Sequence, residues 1–195
     1  MTTKKSKESI LFDERTFDHL VNCRDIDNLI IKGHLIIEHL IDEFIDNHSL
    51  LKADFKKYKI GFNLKIEIAK TLGLFIVNED LYSSLILLNK LRNSIAHNLS
   101  LDEGIFNNFI QAVDPNSTLL QLYKKFGEIS LTDDSDNQYS VSSNYFRFSL
   151  CIAHLYGRIS EIGNFTLKEL INIKIRKSRI DKDEKSKRRK NNNGL

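Results

Sequence analysis

The chain has little of what β-sheets, zinc sites and disulfide-rich folds require. Its 195 residues include one proline, no tryptophan and two cysteines. Val and Thr, which favour strands, are sparse, whereas Leu, Ile, Phe, Lys, Glu and Asn dominate. We therefore predict an all-α protein. The length fits one domain that is large enough to build a sizeable core.

The two cysteines, Cys23 and Cys151, are far apart, and neither has a CxxC spacing or a histidine cluster beside it. A disulfide framework or zinc site is therefore not expected, and we predict no metal and no cofactor. Residues 1–8 are charged and polar, and no later apolar run approaches the length of a membrane span. These features predict a soluble, cytoplasmic protein that has no membrane partner.

Positive charge is concentrated at the C-terminal end. The net charge is +3, but residues 176–195 hold nine Lys and Arg against three acids, which leaves −3 on residues 1–175. Because almost no apolar residues accompany these charges, we predict a disordered basic tail from about Arg176. Such a tail either binds nucleic-acid phosphates weakly or solubilises the chain. The residues that would contact phosphates are Lys187, Arg188, Arg189 and Lys190.

Apolar periodicity and capping residues predict a series of helices. The clearest runs from about Asp25 to Asn47, and its apolar residues cover much of the circumference, as in a helix packed on several neighbours. Gly73 and Asn98 are suited to end the helices before them. The other helices are predicted at about 12–23, 62–72, 79–97 after the capping Asn78, 103–113, 118–126 and 142–162, with a polar loop at 132–137.

The segment Leu-Arg-Asn-Ser-Ile-Ala-His-Asn at 91–98 carries three groups suited to a phosphodiester. Arg92 offers a planar, permanent cation that binds phosphate oxygens in pairs, and His97 is the residue type that exchanges protons near neutrality. In the apolar series along this helix, Arg92 takes the position between Leu88 and Ile95. An arginine in such a series is expected to meet a carboxylate, a subunit interface or an anionic ligand.

Helical geometry limits how these groups act together. At about 100° per residue, Arg92 and His97 lie roughly 140° apart, whereas Asn93 and His97 share a face. Either the helix ends near His97 and its imidazole swings back, or a second copy of the motif completes a cleft. The second alternative predicts a symmetric dimer.

Two structural interpretations stand beside the functional one. Arg92 would form an ion pair with Glu38, which interrupts an apolar stretch of the long helix. A second Arg/His pair, Arg147 and His154, lacks the adjacent asparagine, and for that pair we favour a structural role.

The pattern Arg-Asn-x-x-Ala-His near the end of a core helix, preceded by an apolar helix with an internal acid, resembles the HEPN superfamily. The resemblance covers about residues 25–100. It implies one helical bundle within residues 1–175, with additional C-terminal helices, that forms a homodimer. Arg92 and His97 match the catalytic pair of this family, and Asn93 matches the polar residue beside the arginine.

Many members of this family are metal-independent endoribonucleases that serve as toxins or antiviral defence effectors. The resemblance implies attack of a ribose 2′-hydroxyl on the adjacent phosphate, with proton transfer by His97 and charge stabilisation by Arg92. RNA, a second copy and an antitoxin or other regulatory protein are the implied partners. Leu99 stands where members paired with a nucleotidyltransferase antitoxin often carry tyrosine. The alternative function is a non-catalytic regulatory or protein-interaction module.

Overall fold

A computed structural model of the chain describes residues 19–20, 22–23, 25–49, 59–98, 100–119, 121, 144–166, 168–173, 175–176 and 179–180. These parts are helices and short connections, and they include no strand, which confirms the all-α class for them. The helices with defined bounds are α1 (Ile26–His48), α2 (Phe62–Thr71), α3 (Glu79–Asn98), α4 (Glu103–Val113) and α5 (Asn144–Gly163).

The central helix α1 begins at a capping aspartate. The Asp25 carboxylate accepts hydrogen bonds from the backbone N–H of Asp27 at 3.0 Å and from the side chain of Asn28 at 2.6 Å. The first of these bonds satisfies a backbone donor that the first turn of a helix leaves free. α1 contacts α2, α3 and α5. The prediction of a long core helix is therefore confirmed, and its bounds lie within one residue of those expected.

A glycine brings α1 and α5 close together. A Cβ atom at Gly33 would lie 2.8 Å from Cε1 of Phe148 and 2.9 Å from Cγ1 of Ile152, nearer than carbon atoms pack. At the other end of α1, Nε2 of His48 lies 2.7 Å from the carbonyl oxygen of Phe165, just after α5. The two helices therefore run side by side in the same direction.

The helices α2 and α3 form an antiparallel hairpin. Gly73 follows α2 with φ of +102°, in the left-handed region that glycine adopts without strain. Near this turn the Tyr82 hydroxyl donates to Glu67 at 2.6 Å. Further from it the Asn89 side chain donates to Asn63 at 2.7 Å. These two bonds join α2 and α3 at two points along the hairpin.

The short helix α4 packs against α3 and α5. The Asp102 carboxylate caps its first turn by accepting a hydrogen bond from the backbone N–H of Ile105 at 3.0 Å. The rings of Phe106 and Phe109 have their centroids 6.1 Å and 5.4 Å from that of Phe148 on α5. This aromatic cluster joins the C-terminal half of the chain to the same core as α1.

The remaining predictions fall largely outside the described residues. Of the helix predicted at 12–23, only His19 and Leu20 are described as helical, and the loop predicted at 132–137 lies outside the description. Thr118, Leu119 and Gln121 are helical, as expected for 118–126. None of the described helices combines the length and apolar character needed to cross a membrane.

The predicted tail from about Arg176 falls largely outside the described residues. Of that segment, Arg176, Arg179 and Ile180 are described, and they are helical. Residues 181–195, which include the basic side chains proposed to contact phosphates, lie outside the described residues.

Candidate functional site

The helix α3 carries the whole predicted motif in its last two turns. It runs without interruption to Asn98, so that Arg92, Asn93 and His97 belong to one helix. The side chains of Arg92 and His97 are exposed, and that of Asn93 is half-buried. All three groups therefore lie at the surface or its edge, where a ligand can reach them.

The prediction that Arg92 takes the position between Leu88 and Ile95 in the apolar series is wrong. Leu91 fills the core position after Leu88 and is fully buried, as are Leu81 and Leu85 earlier in the series. A helical stripe advances by three or four residues, so that a step of three to Leu91 and a step of four to Arg92 both fit the spacing. Packing against the neighbouring helices selects Leu91.

Arg92 and Asn93 are joined by a hydrogen bond. The Nη1 group of Arg92 donates to the carboxamide oxygen of Asn93 at 3.1 Å. Asn93 lies one turn before His97 on the same face of α3. The bond therefore draws the guanidinium toward the face that bears the imidazole, although the Cα atoms of Arg92 and His97 remain about 140° apart around the axis.

No hydrogen bond or ion pair joins Arg92 to His97 in the described part of the chain. The expectation that the helix would end near His97 holds, because α3 ends one residue later at Asn98. That end does not by itself bring the two side chains into contact. A single copy of α3 thus presents the arginine and the histidine as neighbouring groups rather than as a closed pair.

The predicted ion pair between Arg92 and Glu38 is not formed. Glu38 instead accepts a hydrogen bond at 2.8 Å from Lys65 on α2, and Lys65 also donates to Asp42 at 2.8 Å. Burial disfavours the charged form of Lys65, but its bonds to Asp42 and Glu38 outweigh that effect and raise its pKa. Glu38 therefore joins α1 to α2 and leaves the Arg92 guanidinium without this carboxylate.

A buried polar chain lies beside this ion pair, and the sequence interpretation missed it. His34 is 4% exposed, and its Nε2 lies 3.3 Å from Oδ1 of Asn89. Because the Asn89 amide group donates to Asn63, its carbonyl oxygen is the atom that accepts from His34. The imidazole also lies 4.3 Å from the Phe62 ring, centroid to centroid. This chain joins α1, α2 and α3.

A sequence signal for His34 was present. It stands four residues after Ile30 and three before Ile37, and both of these are fully buried. The sequence predicts that Arg92 is the polar residue in a buried apolar series. In the structure Arg92 is exposed, and the buried polar residue is His34 on α1.

Several groups act on the charge state of His34. Burial lowers the pKa of His34 most strongly, whereas the carboxylate of Glu38, 3.8 Å from Nδ1, and the bond to Asn89 raise it. The cations of Arg92 and Lys65 lower the pKa of His34 further. Burial, the strongest of these effects, therefore favours the neutral imidazole.

The second Arg/His pair lies on α5. Arg147 and His154 are both half-buried. Burial lowers the pKa of His154, and the nearby guanidinium of Arg158 lowers it further, while the Asp114 carboxylate opposes the shift. Arg158 itself lies 3.5 Å from Asp80 at the start of α3. Both residues of the pair are thus half-buried on α5, and the structural role favoured for the pair stays a prediction.

Two adjacent grooves lie between α1 and α5, away from the motif. Their volumes are about 320 Å³ and 280 Å³, and Leu40, Glu43 and Tyr156 line both. Leu35 at the wall of the first groove is 56% exposed. Neither groove includes Arg92, Asn93 or His97. In the described residues, no cluster of three or more His, Cys, Asp or Glu is placed to bind a metal ion.

Comparison with protein-family models, curated proteins and solved structures finds no match to this chain. The resemblance to HEPN domains therefore rests on the sequence pattern alone.

Proposed function

We propose that the protein is a metal-independent endoribonuclease of the HEPN type that cleaves RNA by attack of a ribose 2′-hydroxyl. One observation carries the proposal: the exposed Arg92 guanidinium is held by Asn93 toward the face of α3 that bears His97. The structural explanation for Arg92 loses its support, because Glu38 is bonded to Lys65. An exposed cation, an amide and an imidazole then remain together, available to an anionic ligand.

Each group has a distinct task in this reaction. Arg92 binds two phosphate oxygens and stabilises the charge that grows on them in the transition state. His97 transfers a proton, either from the attacking 2′-hydroxyl or to the leaving 5′-oxygen. Asn93 orients the guanidinium, so that less freedom is lost when the phosphate binds. None of these tasks requires a metal ion, and DNA, which lacks the hydroxyl, is not a substrate.

The proposed active form is a homodimer. The reaction needs a proton acceptor and a proton donor, and one copy of α3 supplies a single exposed imidazole beside Arg92. A two-fold axis next to the last turns of α3 would bring a second His97 to the same cleft. The proposed biological role is that of a toxin or antiviral defence effector, restrained by an antitoxin or another regulatory protein.

Cleavage assays on the full-length protein test the proposal directly. Wild type, Arg92→Gln and His97→Asn are incubated in EDTA with total RNA and with a tRNA pool. Lys90→Gln is the matched control, because it removes an exposed cation from the same helix. We expect 2′,3′-cyclic phosphate ends from wild type and Lys90→Gln, and at least about a 100-fold loss in the other two variants. Intact RNA after incubation with wild type, across salt and protein concentrations, would contradict it.

Mixing wild type with His97→Asn tests whether the cleft is shared. If one cleft needs the His97 side chains of both protomers, mixed dimers are inactive, and random re-association of equal amounts should leave about a quarter of the wild-type rate. A loss to only about one half, with mixed dimers demonstrated by mass spectrometry, would show instead that each protomer carries a complete site.

A second candidate function is a non-catalytic protein-interaction module, and the groove between α1 and α5 favours it. Its wall carries the exposed Leu35, beside Ile36 and Leu40. Exposed aliphatic side chains along a groove are typical of surfaces that bind an amphipathic helix. Under this alternative, overexpression is harmless, and Leu35→Asp weakens binding to a partner protein while Arg92→Gln does not.

A further inference from the structure

The side chain of His34 is linked through short contacts to the face of α3 that bears the motif. Nε2 of His34 donates to Asn89 at 3.3 Å. On α3, Asn89 lies one helical turn before both Arg92 and Asn93, with about 5–6 Å between the Cβ atoms of such neighbours. The buried imidazole is thus bonded to the residue of α3 that lies one turn before Arg92.

The remaining neighbours of His34 limit which charges can act on it. On its own helix, Glu38 lies 3.8 Å from Nδ1, and on α2 the ammonium of Lys65 is bonded to Glu38. Toward α5, the neighbours of the preceding Gly33 are the apolar Phe148 and Ile152. Glu38 and Lys65 are half-buried, whereas Arg92 is exposed, so that an external anion can reach its charge.

We infer that His34 and Arg92 form a proton-linked unit, in which His34 takes up a proton when an anionic ligand neutralises the guanidinium of Arg92. This inference rests on the proposed function, since the anion it invokes is the phosphodiester of RNA at the same site. Linkage makes the coupling reciprocal: if an anion at Arg92 favours the protonated imidazole, protonation of the imidazole tightens anion binding by the same factor.

The polar chain is built to receive that proton. Nε2 of His34 already carries hydrogen, because it donates to Asn89. A second proton goes to Nδ1, which faces Oε2 of Glu38, while Oε1 of Glu38 keeps its bond to Lys65. The protonated ring therefore gains a carboxylate partner without breaking an existing bond. His34 therefore responds to an anion bound at Arg92 without contacting that anion.

The coupling is measured on the full-length protein by following the ring nitrogens of His34 by NMR as a function of pH. His34→Gln assigns the signal, because it removes the resonance and keeps an amide that can donate to Asn89. We expect the pKa of His34 to rise in Arg92→Gln and to stay near the wild-type value in Lys90→Gln. An unchanged pKa of His34 in a folded Arg92→Gln variant would overturn the inference.

Two anionic probes extend the test to ligands: inorganic phosphate, and a DNA 10-mer that lacks the 2′-hydroxyl needed for cleavage. Saturation with either probe should raise the pKa of His34 in wild type but not in Arg92→Gln. DNA should bind on the order of fivefold more tightly when the pH falls from 7.5 to 5.5, the low end of typical coupling between sites. In His34→Gln the gain should be smaller, because only His97 and other groups still respond.

The two proposals fail in different ways. Failure of RNA cleavage with the pKa response to the probes intact would overturn the catalytic proposal alone and leave an anion-sensing site. RNA cleavage by wild type with no response of His34 to either probe would overturn the linkage alone.

Discussion

The Arg92 guanidinium donates a hydrogen bond to the carboxamide oxygen of the next residue, Asn93, across 3.1 Å. Adjacent residues on a helix point about 100° apart, so this bond requires the long arginine side chain to lean around the helix. It leans toward the face of Asn93 and His97. Asn93 is therefore the residue that directs the Arg92 guanidinium toward the face of α3 that bears His97.

Removing the Asn93 amide is expected to lower the rate of RNA cleavage by about 10- to 100-fold, because Arg92 loses its orientation. Asn93→Ala is compared with Asn107→Ala, which changes an exposed asparagine on α4. The thermal midpoints of both variants should stay near that of wild type. Equal cleavage rates for the two variants would assign Asn93 no part in the reaction.

The core position on α3 can be located by truncation. Leu91→Ala is expected to reduce the free energy of unfolding by about 2–5 kcal/mol, because Leu91 is fully buried. Arg92→Ala should change it by less than about 0.5 kcal/mol, because Arg92 is exposed. Urea denaturation of the two variants measures both values. A large loss of unfolding free energy in Arg92→Ala would show that Arg92 contributes to the core and would contradict its exposure.

Lys65 is expected to matter far more than a surface lysine on the same helix. Lys65→Met leaves Glu38 and Asp42, whose side chains are 25% and 28% exposed, without their shared cation. The expected cost is about 1–3 kcal/mol of unfolding free energy. Lys70→Met removes a lysine that is 52% exposed and 3.8 Å from Glu67, and should cost less than about 1 kcal/mol. Equal costs would show that the Lys65 pair is no more than a surface ion pair.

Two glycine substitutions should have opposite effects. Gly33→Ala places a methyl group 2.8 Å from Phe148 and should destabilise the protein by about 1–3 kcal/mol, although alanine favours helices. Gly157→Ala meets nothing within 4 Å and should stabilise the protein by about 0.5–1 kcal/mol. Chemical denaturation measures both. Stabilisation by Gly33→Ala would contradict the close approach of α1 and α5.

Acidification is expected to destabilise the fold through His154. Burial and the Arg158 guanidinium lower the pKa of His154 below its ordinary value of 6.5. Between the lowered pKa and 6.5 the unfolded chain binds this proton and the folded chain does not, so stability is present above pH 6.5 and is lost as the pH falls. The thermal midpoint of His154→Gln should therefore change less than that of wild type between pH 7.5 and 5. Parallel curves would rule out this contribution.

The ends of the helices could be predicted because the residues that end them act locally. Asp25 and Asp102 accept hydrogen bonds from backbone groups two and three residues away. Gly73 adopts a positive φ directly after α2. Such contacts depend on neighbours in the chain, so a short window of sequence contains the information.

The rotation of each helix about its axis was harder to predict than its ends. After Leu88, the spacing allows either Leu91 or Arg92 to face the core. The sequence predicts Arg92 at this position, and the structure has Leu91 there. In α1, the same spacing places the polar His34 between Ile30 and Ile37, and all three side chains are buried. In both helices, the neighbouring helices decide which side chains are buried.

The sequence by itself determined the helical class, the bounds of the main helices and the content of the motif at Arg92, Asn93 and His97. Only the tertiary structure decided that Glu38 pairs with Lys65, 27 residues away, and that His34 bonds Asn89, 55 residues away. The physical reason is the range of the interactions. Capping and periodicity act within a few residues, whereas partners on different helices depend on where those helices cross, which no local pattern encodes.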